Sequence, residues 1–469
     1  MKEESQPPVA SFIARLRDRL QSIRASGFIK SVGLLVFSSV LAQAIGFAAL
    51  LIAARLYTPE DFKLLSVLGG LGMAIGVVAT LRFDIAVPIP EKDEDAAGLA
   101  LVAFATTVLT AALIAVPVVL APQWLAVDLL HQPALTPLMW LLPLGVFTAG
   151  AFGTLQMWAV RAHRFKAISG VRVAQAGLAG GAQVGLGLFG ISPLGLLVGP
   201  IVNSGAGFGI LAYEMGRSQL VLARRVRRER IRELLREYRA YPLVSTPEAG
   251  FNVASVYVPM LIIAAVASGP DAGYLLLAMT VMQAPIGLLA NAVSQVYISR
   301  AATAQRDGAL PQLTADVLGG LFKSGVGPLL FAGLVAPPTF GLAFGSNWVR
   351  SGELASWMTP WIVMQFLAVP LGMAYYATGR QVSSLVIQGA GAVARVGLVL
   401  LAWAIDTSYV AEAFAISGAI YYAGYMYGVA DCTCLKLHVF YRTARAASPI
   451  IMIWLVAGIL LRWGLDGLH

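Results

Sequence analysis

Gly216–Tyr241 reads GRSQLVLARRVRRERIRELLREYRAY, a block of nine arginines and three glutamates in an otherwise apolar chain. About six stretches long enough to cross a bilayer lie on each side of it. The block therefore reads as a strap joining two halves of a polytopic membrane protein. Ile231, Leu234, Leu235, Tyr238 and Tyr241 recur at i, i+3, i+4, i+7 and i+10, so a helix here carries one apolar stripe along a basic surface. Such a helix lies flat on an anionic leaflet; the alternative is a solvated basic loop with no fixed position.

Composition points the same way. With 58% hydrophobic and 12% charged residues and a mean hydropathy of +0.76, the 469-residue chain has too little polar surface to wrap a water-soluble fold. The pI near 9.6 comes from Lys and Arg gathered in short loops. That is the positive-inside signature of a membrane protein, and no nucleic-acid partner is expected. Cys432 and Cys434 are the only cysteines. A C-x-C pair without a histidine cluster cannot assemble the roughly four ligands of a zinc site, so no metal is expected. Residues 1–30 carry too long a charged region, and no short apolar core, for a cleavable signal. There Phe12, Ile13, Leu16, Leu20 and Ile23 form a short apolar face among Arg15, Arg17, Arg19 and Arg24, which predicts a second surface-lying cytoplasmic helix.

Thirteen apolar spans follow from the length criterion: 31–54, 64–87, 97–121, 135–160, 167–189, 192–214, 242–267, 272–298, 318–344, 355–378, 382–405, 409–431 and 447–464. A cytoplasmic N-terminus leaves only Arg55, Lys63, Arg350 and Arg462 outside and Arg82, Arg172, Lys323 and Arg395 within spans, with the rest of the 33 Lys and Arg residues inside. The expected fold is an all-α polytopic membrane protein with two six-helix lobes in parallel repeat around a central cavity. Its units are a basic N-terminus 1–30, a first lobe 31–215, the strap 216–241, a second lobe 242–435, and a basic turn with a thirteenth span in 436–469. That last span crosses the membrane or forms a re-entrant or surface segment.

The repeat has a sequence echo. Pro59-Glu60, Leu64, Leu65, Ile75, Gly76 and Ala79 recur at a constant offset as Pro270-Asp271, Leu275, Leu276, Ile286, Gly287 and Ala290. Six spans per unit keep both copies in one orientation, as a parallel repeat requires, and two such lobes suit alternating access.

Charges inside hydrocarbon cost roughly 2.5–3.5 kcal/mol each near the centre, so they default to cavity or pathway positions. Arg395 lies at mid-depth of span 11, either on the cavity or in a buried pair with a neighbouring helix. Arg172 sits nearer the inner end of span 5, with Gln175 and Gln183 farther along. Arg82 and Asp84 occupy the inner third of span 2 on different faces, with Asp84 free to pair Arg172 or bind a coupling cation. Glu248 and Asn252 share a face of span 7, as Asn291 and Gln295 do in span 8. The substrate-binding candidates are thus Arg395, Arg172, Arg82, Asn252, Asn291 and Gln295; Asp84 and Glu248 are candidates for ion coupling or charge balance. Catalytic residues are not expected, because the outer loops are short and His131, His163, His438 and His469 are scattered over both sides.

The run FGSNWVRSGELASWMTPWIVMQFLAVPLGMAYYATGRQ, Phe344–Gln381, resembles the outer turn and following helix of bacterial polysaccharide flippases, the Wzx-type branch of the multidrug/oligosaccharidyl-lipid/polysaccharide exporter superfamily. Gly345, Trp348, Ser351, Gly352, Pro360, Pro370, Arg380 and Gln381 match the pattern. ARLYTPEDFKLLSV is similar to the turn after the family's first helix, with Lys63 where glycine is usual. LRFDIAV is similar to its second-helix acidic motif, with Asp84 for the commoner Glu. YPLVSTPEAGFNVASVYVPMLIIAAV and QAPIGLLANAVSQVYISRAA resemble its seventh and eighth helices. The thirteenth span departs from the family's even count.

The resemblance implies a non-enzymatic flippase in the bacterial inner membrane that moves an undecaprenyl-diphosphate-linked oligosaccharide to the outer leaflet. It implies no cofactor beyond a coupling H⁺ or Na⁺, and a polysaccharide polymerase and export machinery as further partners beside the lipid bilayer. Two readings compete: a cation-coupled drug antiporter of the same superfamily, which needs an acidic, aromatic cavity, and a membrane-embedded transferase, which needs an outer loop and an acid/base cluster.

Overall fold

The computed structural model describes residues 33–267 and 269–466, apart from the side chains of 216–225, 285, 288, 289, 291, 292, 295, 299, 302, 381 and 466. The surface helix expected within 1–30 lies outside the described residues, as do the side chains of Asn291 and Gln295.

Each of the thirteen expected spans holds a helix, and no strand occurs, among the described residues. The first lobe holds α1 (Gly33–Leu56), α2 (Pro59–Ala79), α3 (Asp93–Leu120), α4 (Leu141–Arg161), α5 (Phe165–Leu188) and α6 (Leu194–Arg225). The second holds α7 (Thr246–Val266), α8 (Asp271–Arg306), α9 (Leu310–Phe344, through a π turn at Phe322–Val326), α10 (Val349–Leu371), α11 (Gln381–Ile405) and α12 (Val410–Cys432). Last comes α13 (Leu437–Asp466). Among the described residues ten helices are long and apolar enough to cross a membrane. The other three, α5, α8 and α12, are long enough but diluted with glycine, hydroxyl and amide residues.

Packing repeats with every partner shifted by six. In the first lobe α2 packs on α4, α3 on α4, α4 on α6 and α5 on α6; in the second α8 packs on α10, α9 on α10, α10 on α12 and α11 on α12. The two lobes meet where α2 lies against α7 and α8. The paired sequences Pro59-Glu60 and Pro270-Asp271 start α2 and α8, the two helices that touch across this seam. Gly273 makes the approach possible: a Cβ there would sit 2.2 Å from the Pro59 carbonyl oxygen and 2.7 Å from the Lys63 nitrogen.

Two expectations need correction. Span 2 was expected over 64–87, but α2 starts earlier and stops at Ala79. Its start is set by a capping box, with Thr58 and Asp61 each accepting from the other's backbone N–H and Pro59 in the first turn. The chain then turns through Leu81 and Arg82, both left-handed (φ 47° and 59°), into a single turn at Phe83–Ala86. Arg82 and Asp84 therefore lie in a break between helices, and the helix-face argument for them does not apply.

The second correction concerns the strap, whose apolar stripe was expected on a leaflet and is instead docked on the first lobe. Its helix, Arg228–Glu237, buries Leu234 against α3, where Gly98 leaves the room: a Cβ at Gly98 would come within 2.8 Å of Leu234. Ile231, Tyr238 and Tyr241 pack around the same cluster, and only Leu235 of the stripe is left exposed. Arg230 grips Asp95 at the start of α3 through two parallel bonds, Nε to Oδ1 at 2.7 Å and Nη2 to Oδ2 at 2.8 Å. Those bonds, with one to Glu233, hold the Arg230 guanidinium above its ordinary pKa.

The thirteenth span is one 30-residue helix, packed on α9 through Trp454, which meets Phe331 edge-on at 5.5 Å between ring centres. At about 1.5 Å per residue it is longer than the hydrocarbon is thick.

Candidate functional site: a cavity between the lobes

A cavity of about 1510 Å³ lies between α1, α2, α4, α5 and α6 of the first lobe and α7 and α8 of the second. Its wall is mostly small and apolar because α5 is rich in glycine and packs closely on α1; a Cβ at Gly180 would meet that of Ala49 at 2.6 Å. Into this wall are set Arg172, the amides Gln43, Gln175, Gln183, Asn203 and Gln283, and several hydroxyls, among them Ser39 and Tyr257. Arg172 is the sole charged side chain among the described lining residues. Its Nη1 donates to the Ser39 hydroxyl, tying α5 to α1, and it forms no ion pair among the described residues. The other bonds hold amides in place: Gln175 Nε2 donates to the Asn203 carbonyl at 2.9 Å, and Gln43 Nε2 reaches across the lobes to the Ala284 carbonyl at 3.3 Å. A guanidinium has five donors, so Arg172 keeps donors beyond the one given to Ser39, beside amides that both donate and accept.

The end of the cavity far from the strap is closed by a latch between the lobes. Trp348, buried just before α10, donates its indole N–H to the Ala54 carbonyl at 2.6 Å. It meets Phe62, a cavity-lining residue, edge-on at 4.8 Å and Tyr274 at 6.0 Å. Arg55 at the end of α1 donates to the carbonyls of Leu342 and Ala343 at the end of α9, satisfying acceptors a helix C-terminus leaves free. Gln132 donates to the Ala264 carbonyl at 2.9 Å. Behind the latch Arg350 joins the starts of α8, α10 and α12 by pairing with Asp271, Glu353 and Glu412.

Of the residues singled out in the sequence, the structure brings Arg172, Gln175 and Gln183 to the cavity. Arg395 goes elsewhere. It is 1% exposed inside the second lobe, with its guanidinium carbon 4.5 Å from the Trp361 ring centre, 5.0 Å from Phe414 and 5.7 Å from Tyr421. Its Nε and Nη2 have no hydrogen-bond partner among the described residues, and the rings of α10 and α12 hold the cation in place of the cavity or a paired charge. Asp84 accepts from the Thr80 hydroxyl at 2.7 Å and does not pair with Arg172, one of the two alternatives open to it. Arg82, Asp84 and Glu248 do not line the cavity, and Asn252 instead donates to Gln388 at 3.2 Å, joining α7 to α11. Gln43, Asn203, Gln283 and Tyr257 were not singled out, although an amide or phenol inside an apolar span was a visible signal.

The comparisons with known proteins agree with this architecture. A family model described as "Polysaccharide biosynthesis protein" matches residues 52–353. No curated protein sequence matches the chain. Among solved structures, the lipid II flippase MurJ in an inward closed conformation is similar at a TM-score of 0.68 and 12% identity, over 94% of this chain and 98% of that one. A multidrug resistance MATE family transporter of the MOP superfamily, inward-facing, is similar at 0.55 and 15% identity over 85% and 94%. The eukaryotic MATE transporter AtDTX14 gives 0.55 and 14% over 91% and 100%. At such identities these structures show a shared fold. The family match spans most of the chain, and with the fold it establishes that this protein is a member of the polysaccharide biosynthesis protein family, a polytopic membrane protein built on the fold of MOP-superfamily transporters.

Proposed function

We propose that the protein is a flippase that moves undecaprenyl-diphosphate-linked oligosaccharide repeat units from the cytoplasmic to the periplasmic leaflet of a bacterial inner membrane, by rocking of its two lobes. The observation that carries this reading is the cavity: about 1510 Å³, larger than the roughly 300–1,000 Å³ of small-ligand sites, with one arginine and no carboxylate among its described lining residues. A diphosphate leaving the headgroup layer needs a cationic partner, and a glycan needs amides and hydroxyls that both donate and accept. Arg172 meets the diphosphate and the amide-lined wall meets sugar, while the prenyl chain stays in lipid. The match to a polysaccharide biosynthesis family and the likeness to a lipid II flippase support a lipid-linked glycan as cargo.

A drug/cation antiporter would need a carboxylate in the cavity, and the described wall has none. Asp84 and Glu248, outside the wall, are the carboxylates left for coupling to H⁺ or Na⁺. With the strap end in the cytoplasm, the latch seals the periplasmic end. A polymerase and export machinery would take up the delivered unit.

The test is reconstitution in vesicles with a fluorescent undecaprenyl-diphosphate oligosaccharide and a membrane-impermeant quencher. The wild-type protein should make the inner pool accessible. Arg172→Ala should lose at least tenfold in rate and Arg172→Lys should keep part of it, since the charge survives without the planar fork. Wild-type rates for Arg172→Ala at normal abundance would remove the diphosphate from this cavity.

A further inference from the structure

The docking of the strap leaves a second face of its helix unexplained. Arg228, Arg232 and Arg236 recur every four residues, so they lie on one side of the helix about 6 Å apart, and Arg239 follows in the turn just after its end. All four are exposed, and none forms an ion pair among the described residues. At about 100° per residue the centre of this row falls roughly 155° from Leu234, which faces the lobe, and roughly 95–115° from Ile231 and Tyr238 on its flank. The glutamates lie in a separate row, and two of them, Glu233 and Glu237, are taken up by Arg230.

We propose that this row is a binding face for the phosphate groups of anionic lipids, held rigid by the docked face behind it. A free amphipathic helix would turn its leucines into the leaflet. This one has committed Leu234 to the lobe and fixed its rotation through Arg230 and Asp95, so its membrane contact is through arginine forks. Place and chemistry both favour lipid. The helix leads through the turn Tyr241–Ser245 directly into the membrane-crossing α7. In that turn Leu243 and Val244 are 70% and 57% exposed, and Leu235 is exposed on the flank between the docked face and the arginines. Exposed apolar residues beside unpaired arginines, within a few turns of a membrane entry, belong at headgroup depth. Planar guanidinium forks match phosphate oxygens better than ammonium groups do. Headgroup contact at the strap anchors the first lobe, to which it is clamped, while the second lobe rocks.

The test uses the full chain in nanodiscs of phosphatidylcholine alone, or with one quarter phosphatidylglycerol, and reads the thermal unfolding midpoint at low and high salt. Phosphatidylglycerol should raise the midpoint of the parent at low salt and lose the effect at high salt. The variant Arg228→Gln/Arg232→Gln/Arg236→Gln/Arg239→Gln should unfold with the parent in phosphatidylcholine but show no phosphatidylglycerol effect. The same four positions changed to Lys should keep part of it. Should the fourfold Gln variant fail to fold, Arg232→Gln/Arg236→Gln serves instead, with apparent affinity for native-mass-spectrometry-counted phosphatidylglycerol reduced about fivefold per arginine. An undiminished lipid effect in the Gln variants would overturn the proposal. So would stabilisation in phosphatidylcholine by inorganic phosphate alone, which would mark a soluble anion site, or by an acidic protein with no phosphatidylglycerol response.

Discussion

Replacing Trp348 by Phe should open the latch. The indole N–H of Trp348 bonds the Ala54 carbonyl at 2.6 Å across the lobes, and Ala54 is two residues from the end of α1, where carbonyls lack a helical partner. Phenylalanine keeps much of the edge-on packing against Phe62 and Tyr274 but removes the donor, leaving that carbonyl unsatisfied in a site closed to water. Such a loss costs about 1–3 kcal/mol. The bond joins the two lobes only while this end is shut, so the cost falls on the shut state and shifts the equilibrium by about 5–150-fold toward opening. Spin labels on Leu129→Cys and Tyr409→Cys, both exposed at the far end, would report it as a longer lobe-to-lobe distance in nanodiscs, with Cys432 and Cys434 replaced by Ser. A distance distribution identical to that of the parent would show that Trp348 does not hold the lobes together, and the latch would have to be abandoned.

Other consequences follow from the same contacts. Gly273→Ala drives a Cβ into the backbone of α2 and should lower the thermal unfolding midpoint, by an overpacking cost of about 1–3 kcal/mol, whereas Gly287→Ala on the same helix meets nothing within 4 Å and should not. Arg395→Met is expected to unfold at or above the parent's midpoint and to bind substrate unchanged, since an aromatic-caged cation without a carboxylate is replaceable by an apolar chain of similar length; a weakened substrate Kd would return Arg395 to the binding site. Asp95→Asn should loosen the strap and quicken trypsin cleavage within 226–239, while an unchanged cleavage rate would mean the bidentate grip of Arg230 does not secure it.

The spans were legible because lipid enforces them: about 20 apolar residues must run together wherever a helix crosses, and that pattern needs no partner to be seen. The repeat was legible at Pro59 and Pro270 because both mark helix starts, where local chemistry overrides hydropathy. Span 2 was misplaced for the same reason, since hydropathy averaging passes over the capping box at Thr58 and the left-handed break at Leu81–Arg82. Depth in the membrane favoured Arg395, at mid-span, over Arg172, nearer the inner end of span 5. Which of them faces a cavity depends on the azimuth of the helix and on neighbours such as Trp361 and Phe414, which a single chain of letters does not order in space. The strap's stripe was visible, but its partners Asp95 and Gly98 lie more than a hundred residues earlier, so a membrane-facing and a lobe-facing helix read alike. Gln43, Asn203 and Gln283 escaped because an amide in an apolar span is a weaker signal than a charge.

The central claim is translocation of a lipid-linked glycan, and it is tested most directly in lipid extracts from cells lacking this gene. The account predicts accumulation of a complete diphosphate-linked oligosaccharide whose sugar still faces the cytoplasm, relieved by the wild-type gene and not by Arg172→Ala. Accumulation of incomplete units would place the protein in assembly instead, and no accumulation together with raised drug sensitivity would contradict the flippase reading in favour of an antiporter.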